Sequence, residues 1–159
     1  MTMWADPEHD SVDALLVEDS EDDAELIHRA FAASGLAGHL AWARDGQQAL
    51  DFLSSHHPGG AREGRRPPRV ILLDLKIPKI GGLEVLARLR GDPLPPLAQA
   101  PVVMVTSSPH NGDIQEAYAL GANGYVVKPV EYTSFTQVMQ NLAVFWLTIN
   151  KPLADAAEA

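Results

Sequence analysis

Five short apolar runs punctuate the chain: Ala14-Leu15-Leu16-Val17, His39-Leu40-Ala41-Trp42-Ala43, Val70-Ile71-Leu72-Leu73, Val102-Val103-Met104-Val105 and Tyr125-Val126-Val127. Runs of this length, rich in branched residues and without polar alternation, read as strands buried on both faces of a parallel sheet. Between them the apolar spacing lengthens to that of helices. Ser20 with Asp23 resembles a capping box, and the helix it opens carries Ala24, Ile27 and Ala30 or Phe31 on one face, with Gly35 as its stop. Asp45 and Gln48 repeat the pattern ahead of Ala49, Leu50 and Leu53. Leu83, Leu86 and Leu89 follow Gly81-Gly82, Ile114, Ala117 and Tyr118 mark a short helix, and the last helix is predicted over about 131–149. Strand and helix alternate five times, so the predicted fold is α/β: a five-stranded parallel sheet, doubly wound, with right-handed crossovers.

The remaining segments read as connectors. Residues 1–11 are a polar, flexible leader, 12–149 the folded domain and 150–159 a tail with no further domain after it. His56 to Pro68, with Gly59-Gly60, Gly64 and several Arg and Pro, is a long surface loop in which both histidines are solvated, and Leu94 to Pro101 is a Pro-rich connector. A formal net charge of −9 argues against nucleic acid and anionic membranes, both of which need a basic face. No apolar stretch approaches the roughly 20 residues that cross a bilayer, so the expected location is the cytoplasm. The absence of cysteine excludes disulfides, thiolate metal sites and cysteine nucleophiles.

Four of the five runs end on polar groups at the same relative position: Glu18-Asp19, Asp74, Thr106 and Lys128. Parallel strands bring such ends to one edge, where ligands bind in open α/β sheets. Singly, each has an ordinary explanation, as a helix cap or a solvated lysine; together they make a set with constrained chemistry. Oxygen ligands without His or Cys suit Mg2+. A carboxylate can act as a nucleophile and form an aspartyl phosphate, whose transfer needs its phosphoryl oxygens neutralised. The residues then take these roles: Asp74 the nucleophile, Glu18 and Asp19 metal ligands, Lys128 the charge partner and Thr106 a hydrogen-bond donor to the phosphoryl group. A nucleotide-binding reading would need a Gly-rich turn after the first strand, where Glu18 to Asp23 stands instead. A Mg2+-dependent phosphatase with an aspartyl nucleophile is the other reading; the haloacid-dehalogenase type wants a second Asp where Lys76 stands.

These residues resemble the receiver domain of two-component response regulators over about residues 12–148. The resemblance rests on Glu18-Asp19, on Asp74 within Leu72-Leu73-Asp74-Leu75-Lys76-Ile77-Pro78, and on Thr106, Tyr125 and Lys128-Pro129. It implies the flavodoxin-like (βα)5 receiver fold, phosphorylation of Asp74 by a sensor histidine kinase, and output by protein contact rather than as an enzyme. It further implies Thr106 and Tyr125 as switch residues, the main-chain carbonyl of Lys76 as a further Mg2+ ligand beside Glu18, Asp19 and Asp74, and a cis Lys128–Pro129 bond. The ending Phe145-Trp146-Leu147 and the 56–68 loop resemble the small response regulators partnered with phytochromes, which implies a bacteriophytochrome as the kinase. Val144, Phe145 and Leu147 lie off the core stripe of the last helix, which suggests a homodimer through that helix and the tail.

Overall fold

The structure is a computed structural model that describes residues 2–3 and 12–153. Its strands are β1 (Thr2–Met3), β2 (Ala14–Val17), β3 (Leu40–Ala43), β4 (Val70–Leu73), β5 (Val102–Thr106) and β6 (Gly124–Val127). Its helices are α1 (Glu21–Ala33), α2 (Gly46–Ser54), α3 (Gly82–Arg90), α4 (Pro95–Ala98), α5 (Asn111–Ala119) and α6 (Tyr132–Val144). The sheet order is β1-β3-β2-β4-β5-β6; β2 to β6 are mutually parallel, as the five apolar runs predict.

Each central strand is buried on both faces because its side chains divide alternately between two cores. Leu15, Val17, Ile71, Leu73, Val102 and Met104 pack with Phe52 and Leu53 of α2, Val85, Leu86 and Leu89 of α3 and Ala117 of α5. Leu16, Val70, Leu72, Val103 and Val105 pack on the other side with Ile27 and Phe31 of α1 and Phe135 and Met139 of α6. This two-sided cover is why the runs show no polar alternation.

Several expectations need correction. Thr2–Met3 is not loose leader but an antiparallel edge strand, pairing Thr2 with Trp42 and Met3 with Ala41; two residues are too few to show a period. The rest of the expected leader, residues 1 and 4–11, and tail residues 154–159 lie outside the described residues. The Pro-rich connector contains α4, with prolines at its first positions and Leu97 buried. The last helix leaves α-geometry at Val144 and continues through Phe145–Ile149 as a wider turn, in which the Asn150 N–H donates to the Phe145 carbonyl at 2.7 Å. No peptide bond among the described residues is cis, so Lys128–Pro129 is trans.

The loop histidines are not solvated either. His56 is buried, with its ring edge-on to Phe52 and Nδ1 3.1 Å from the Leu53 carbonyl, while His57 Nε2 lies 2.8 Å from the Asp92 carboxylate. Burial lowers the His56 pKa from its ordinary 6.5, with the Leu53 bond opposing. The unfolded chain therefore binds the proton more readily, and this residue removes stability as pH falls below about 6.5. His56→Gln is expected to flatten that part of the acid dependence, read as a smaller difference in urea midpoint between pH 7 and pH 5 than in the native chain; an identical difference would show that His56 contributes nothing to it.

Candidate functional site

The backbone ladder runs one residue past β2, β4 and β6, and that extension, with Thr106 as the last residue of β5, places the polar ends. The Glu18 N–H donates to the Ala43 carbonyl at 3.1 Å, Asp74 N–H to Val17 at 3.1 Å, and Lys128 N–H to Thr106 at 2.7 Å. Glu18, Asp74 and Thr106 are consequently buried at the carboxyl edge of the sheet rather than exposed in loops. The turn after Asp74 closes back tightly: a Cβ on Gly82 would lie 2.1 Å from the Asp74 carbonyl oxygen, so only glycine fits there.

Lys128 reaches across this edge. Its Nζ donates to Glu18 Oε2 at 2.6 Å, Asp23 Oδ2 at 2.8 Å and Asp74 Oδ2 at 3.0 Å, with its side chain only 10% exposed. Glu18 is held on all sides. Its other carboxylate oxygen accepts the Ser20 N–H at 3.0 Å, and its carbonyl accepts the Trp42 indole N–H at 2.7 Å. Asp19 is exposed, yet oxygens of Glu18, Asp19 and Asp74 all lie within 4.8 Å of one another.

The charge balance of the pocket is unfavourable. Burial pushes the Glu18 carboxyl up from 4.5 to about 7, the charge of Asp74 adds to this, and the bond to Lys128 offsets only part. Burial alone would lower the Lys128 ammonium, but its bonds to Asp23 and Glu18 and the nearby negative charges outweigh it and raise its pKa above the ordinary 10.5. Four carboxylates, Glu18, Asp19, Asp23 and Asp74, thus crowd one firmly protonated lysine. A cluster of hard oxygens with negative charge in excess has the chemistry of a divalent-cation site.

Thr106 borders the pocket at the end of β5, with Oγ1 accepting the Ser108 N–H at 3.4 Å. Tyr125 is half-buried on β6, and its hydroxyl donates to the Ser108 carbonyl at 2.8 Å. Lys76 lies in the bend after Asp74 with its side chain exposed. The sequence reading missed Asp23. It cast Asp23 as the acidic half of a capping box, but only the other half forms: Ser20 Oγ accepts the Asp23 N–H at 3.2 Å, while the Asp23 carboxylate turns to Lys128. Nothing in the run Glu21-Asp22-Asp23 marks out the third acid.

Comparison with known proteins agrees with this architecture. The sequence pattern of the response regulator receiver domain matches residues 14–140. The probable methanogenesis regulatory protein FilR2 of Methanothrix harundinacea is 39% identical over 137 residues, 86% of this chain and 84% of that protein. Response regulator Rcp1 of Synechocystis is 36% identical over 141 residues, 88% and 92% of the two chains. Among solved structures, the phosphorylated cyanobacterial phytochrome response regulator RcpA is similar with a TM-score of 0.77 at 34% identity, covering 89% of this chain and 97% of that one. The Mn2+-bound form of Rcp1 gives 0.76 at 34%, covering 87% and 96%. The bacteriophytochrome response regulator RtBRR gives 0.64 at 42%, covering 92% and 86%.

Removing the ammonium leaves the buried carboxylates without a counter-charge. Lys128→Met is expected to cost about 3 kcal/mol of unfolding free energy at pH 7, as for breaking a buried ion pair. The deficit should shrink as pH is lowered from 8 to 6, because loss of the ammonium raises the Glu18 carboxyl further above its native value of about 7 and the variant takes up that proton first. Urea denaturation at pH 8 and pH 6 checks this, and a deficit that does not depend on pH would contradict it.

Proposed function

The chain belongs to the response regulator receiver domain family, and from that membership we propose that Asp74 takes a phosphoryl group from a sensor histidine kinase. The observation that carries the assignment is the Lys128 ammonium, bonded at once to Glu18, Asp23 and Asp74 from three separate elements. An Asp74 carboxylate oxygen attacks phosphorus, the P–O bond forms, and the P–N bond of phosphohistidine breaks with its electron pair going to the imidazole nitrogen. Lys128 is placed to neutralise the incoming phosphoryl charge, and Thr106 to donate its hydroxyl proton to a phosphoryl oxygen.

Glu18, Asp19 and Asp74, with the main-chain carbonyl of Lys76, would hold a divalent cation, for which we assign Mg2+; the Mn2+-bound form of Rcp1 supports a divalent ion in this family. When bound, the ion supplies the positive charge that the carboxylate cluster lacks. Phosphorylation then biases Thr106 and Tyr125, and the altered face of α5, β6 and α6 signals by protein contact in the cytoplasm, without an enzymatic reaction beyond phosphotransfer and autodephosphorylation. No helix among the described residues is long and apolar enough to cross a membrane. Nothing observed supports a Mg2+-dependent phosphatase: the matching family is one of receivers, and Lys76 stands where that chemistry wants an Asp.

The kinase assigned here is a bacteriophytochrome. The similarity to RcpA, Rcp1 and RtBRR supports this, together with the 56–68 loop and the Phe145-Trp146-Leu147 ending. We assign a homodimer through the end of the last helix, where Val144, Phe145 and Ile149 are exposed apolar side chains; Leu147, expected off the core stripe, packs in the core instead.

Acetyl phosphate with Mg2+ is expected to place one hydroxylamine-sensitive phosphate on each native chain and none on Asp74→Asn, with labelling abolished by EDTA; equal labelling of the variant would overturn the assignment. Sedimentation at micromolar concentration should show a dimer that Phe145→Asp and Ile149→Asp dissociate, and a native monomer mass would refute the interface.

A further inference from the structure

A set of hydrogen bonds beside the pocket is unused by the phosphoacceptor reading. Its hub is Ser108, buried in the loop between β5 and α5. The Ser108 hydroxyl lies 2.5 Å from Asp113 Oδ2 and donates to it, and Ser108 Oγ accepts the His110 N–H at 3.4 Å. The Ser108 N–H donates to Thr106 Oγ1 at 3.4 Å, and its carbonyl accepts the Tyr125 hydroxyl at 2.8 Å. One residue therefore touches both residues read as the switch, and a helix carboxylate holds it in place.

Asp113 is engaged in an uncommon way for its position. It is the third residue of α5, where a carboxylate ordinarily reaches back to the N–H of the capping residue. Here the capping residue is His110, which supplies no side-chain cap, and its N–H turns to Ser108 Oγ. The carboxylate instead takes the Ser108 proton, a charge-assisted bond of the stronger kind.

We propose that Asp113 is a positioning residue for phosphoryl transfer, holding Ser108 so that the Thr106 hydroxyl and the Tyr125 ring are fixed as one unit. A hydroxyl oxygen has two acceptor sites and one proton. With the Ser108 N–H on one acceptor site, the Thr106 proton is left for a phosphoryl oxygen. Tyr125 cannot leave its half-buried place without losing the Ser108 carbonyl. Asp113 is not among the carboxylates around Lys128, so it acts on rate and not on the cation. The inference rests on the reading of Asp74 as phosphoacceptor.

The test measures label uptake from acetyl phosphate with Mg2+ and, separately, the rise in Tm on adding Mg2+, in the full chain. Asp113→Ala is expected to slow uptake about threefold to tenfold, the worth of one hydrogen bond. Ser108→Ala should match it, the double variant should be no slower than either single one, and Asp113→Asn, which keeps an acceptor, should recover most of the rate. The Mg2+ rise in Tm should equal the native rise in all four. Native uptake in Asp113→Ala, additive losses in the double variant, or a Mg2+ response lost together with the rate would each overturn the inference. Should Asp113→Ala not fold, Ser108→Ala and Asp113→Asn decide by the same criteria. Asp74→Asn separates the two levels: if it takes label like the native chain, the phosphoacceptor reading itself fails, whereas a silent Asp74→Asn beside native uptake in Asp113→Ala removes only the role of Asp113.

Discussion

One ammonium holds the carboxyl edge of this sheet together. Lys128 bonds carboxylates from the end of β2, the first turn of α1 and the end of β4, groups that would otherwise repel one another in a buried setting. The pair is not a strong source of net stability, since desolvating charges costs about as much as their attraction returns. What it fixes is geometry: three strand-end or helix-start carboxylates cannot drift apart while they share one donor. The upward shift of Glu18 to about 7 marks the strain left over. The pocket is arranged for more positive charge than the chain itself supplies.

The means of delivery is the backbone. At β2, β4 and β6 the ladder continues by one bond past the last paired residue, and at β5 Thr106 is itself the last paired residue, so each polar side chain emerges with the rigidity of a strand. The two apolar cores beneath, one on each face, keep the strands from shifting register, because a one-residue slip would exchange their contents. Rigidity on the β2 and β4 side contrasts with the β5–α5 loop, where Thr106, Ser108 and Tyr125 are tied by side-chain bonds to one another.

The parallel sheet and its crossovers were legible because buried parallel strands leave unbroken apolar runs, and each run here is followed by a helical period. The meeting of Glu18, Asp19, Asp74 and Lys128 was legible for the same reason, as a consequence of parallel strand ends. What escaped the reading depends on contacts that no local pattern encodes. Asp23 looked like a cap and reaches instead a lysine more than 100 residues away. His56 sits in a Gly- and Arg-rich stretch that reads as solvent-facing, yet packs on Phe52. Thr2–Met3 forms a strand only because β3 offers it a free edge.

Trp42 has a consequence beyond packing. Its indole N–H is tied to the Glu18 carbonyl, and the Arg44 guanidinium stacks over its ring at 4.2 Å. A chromophore so anchored sits in the electric field of the carboxylate pocket, and its emission should change with the charge held there. One hydrogen bond thus links an aromatic chromophore at the sheet edge to the backbone of a pocket carboxylate.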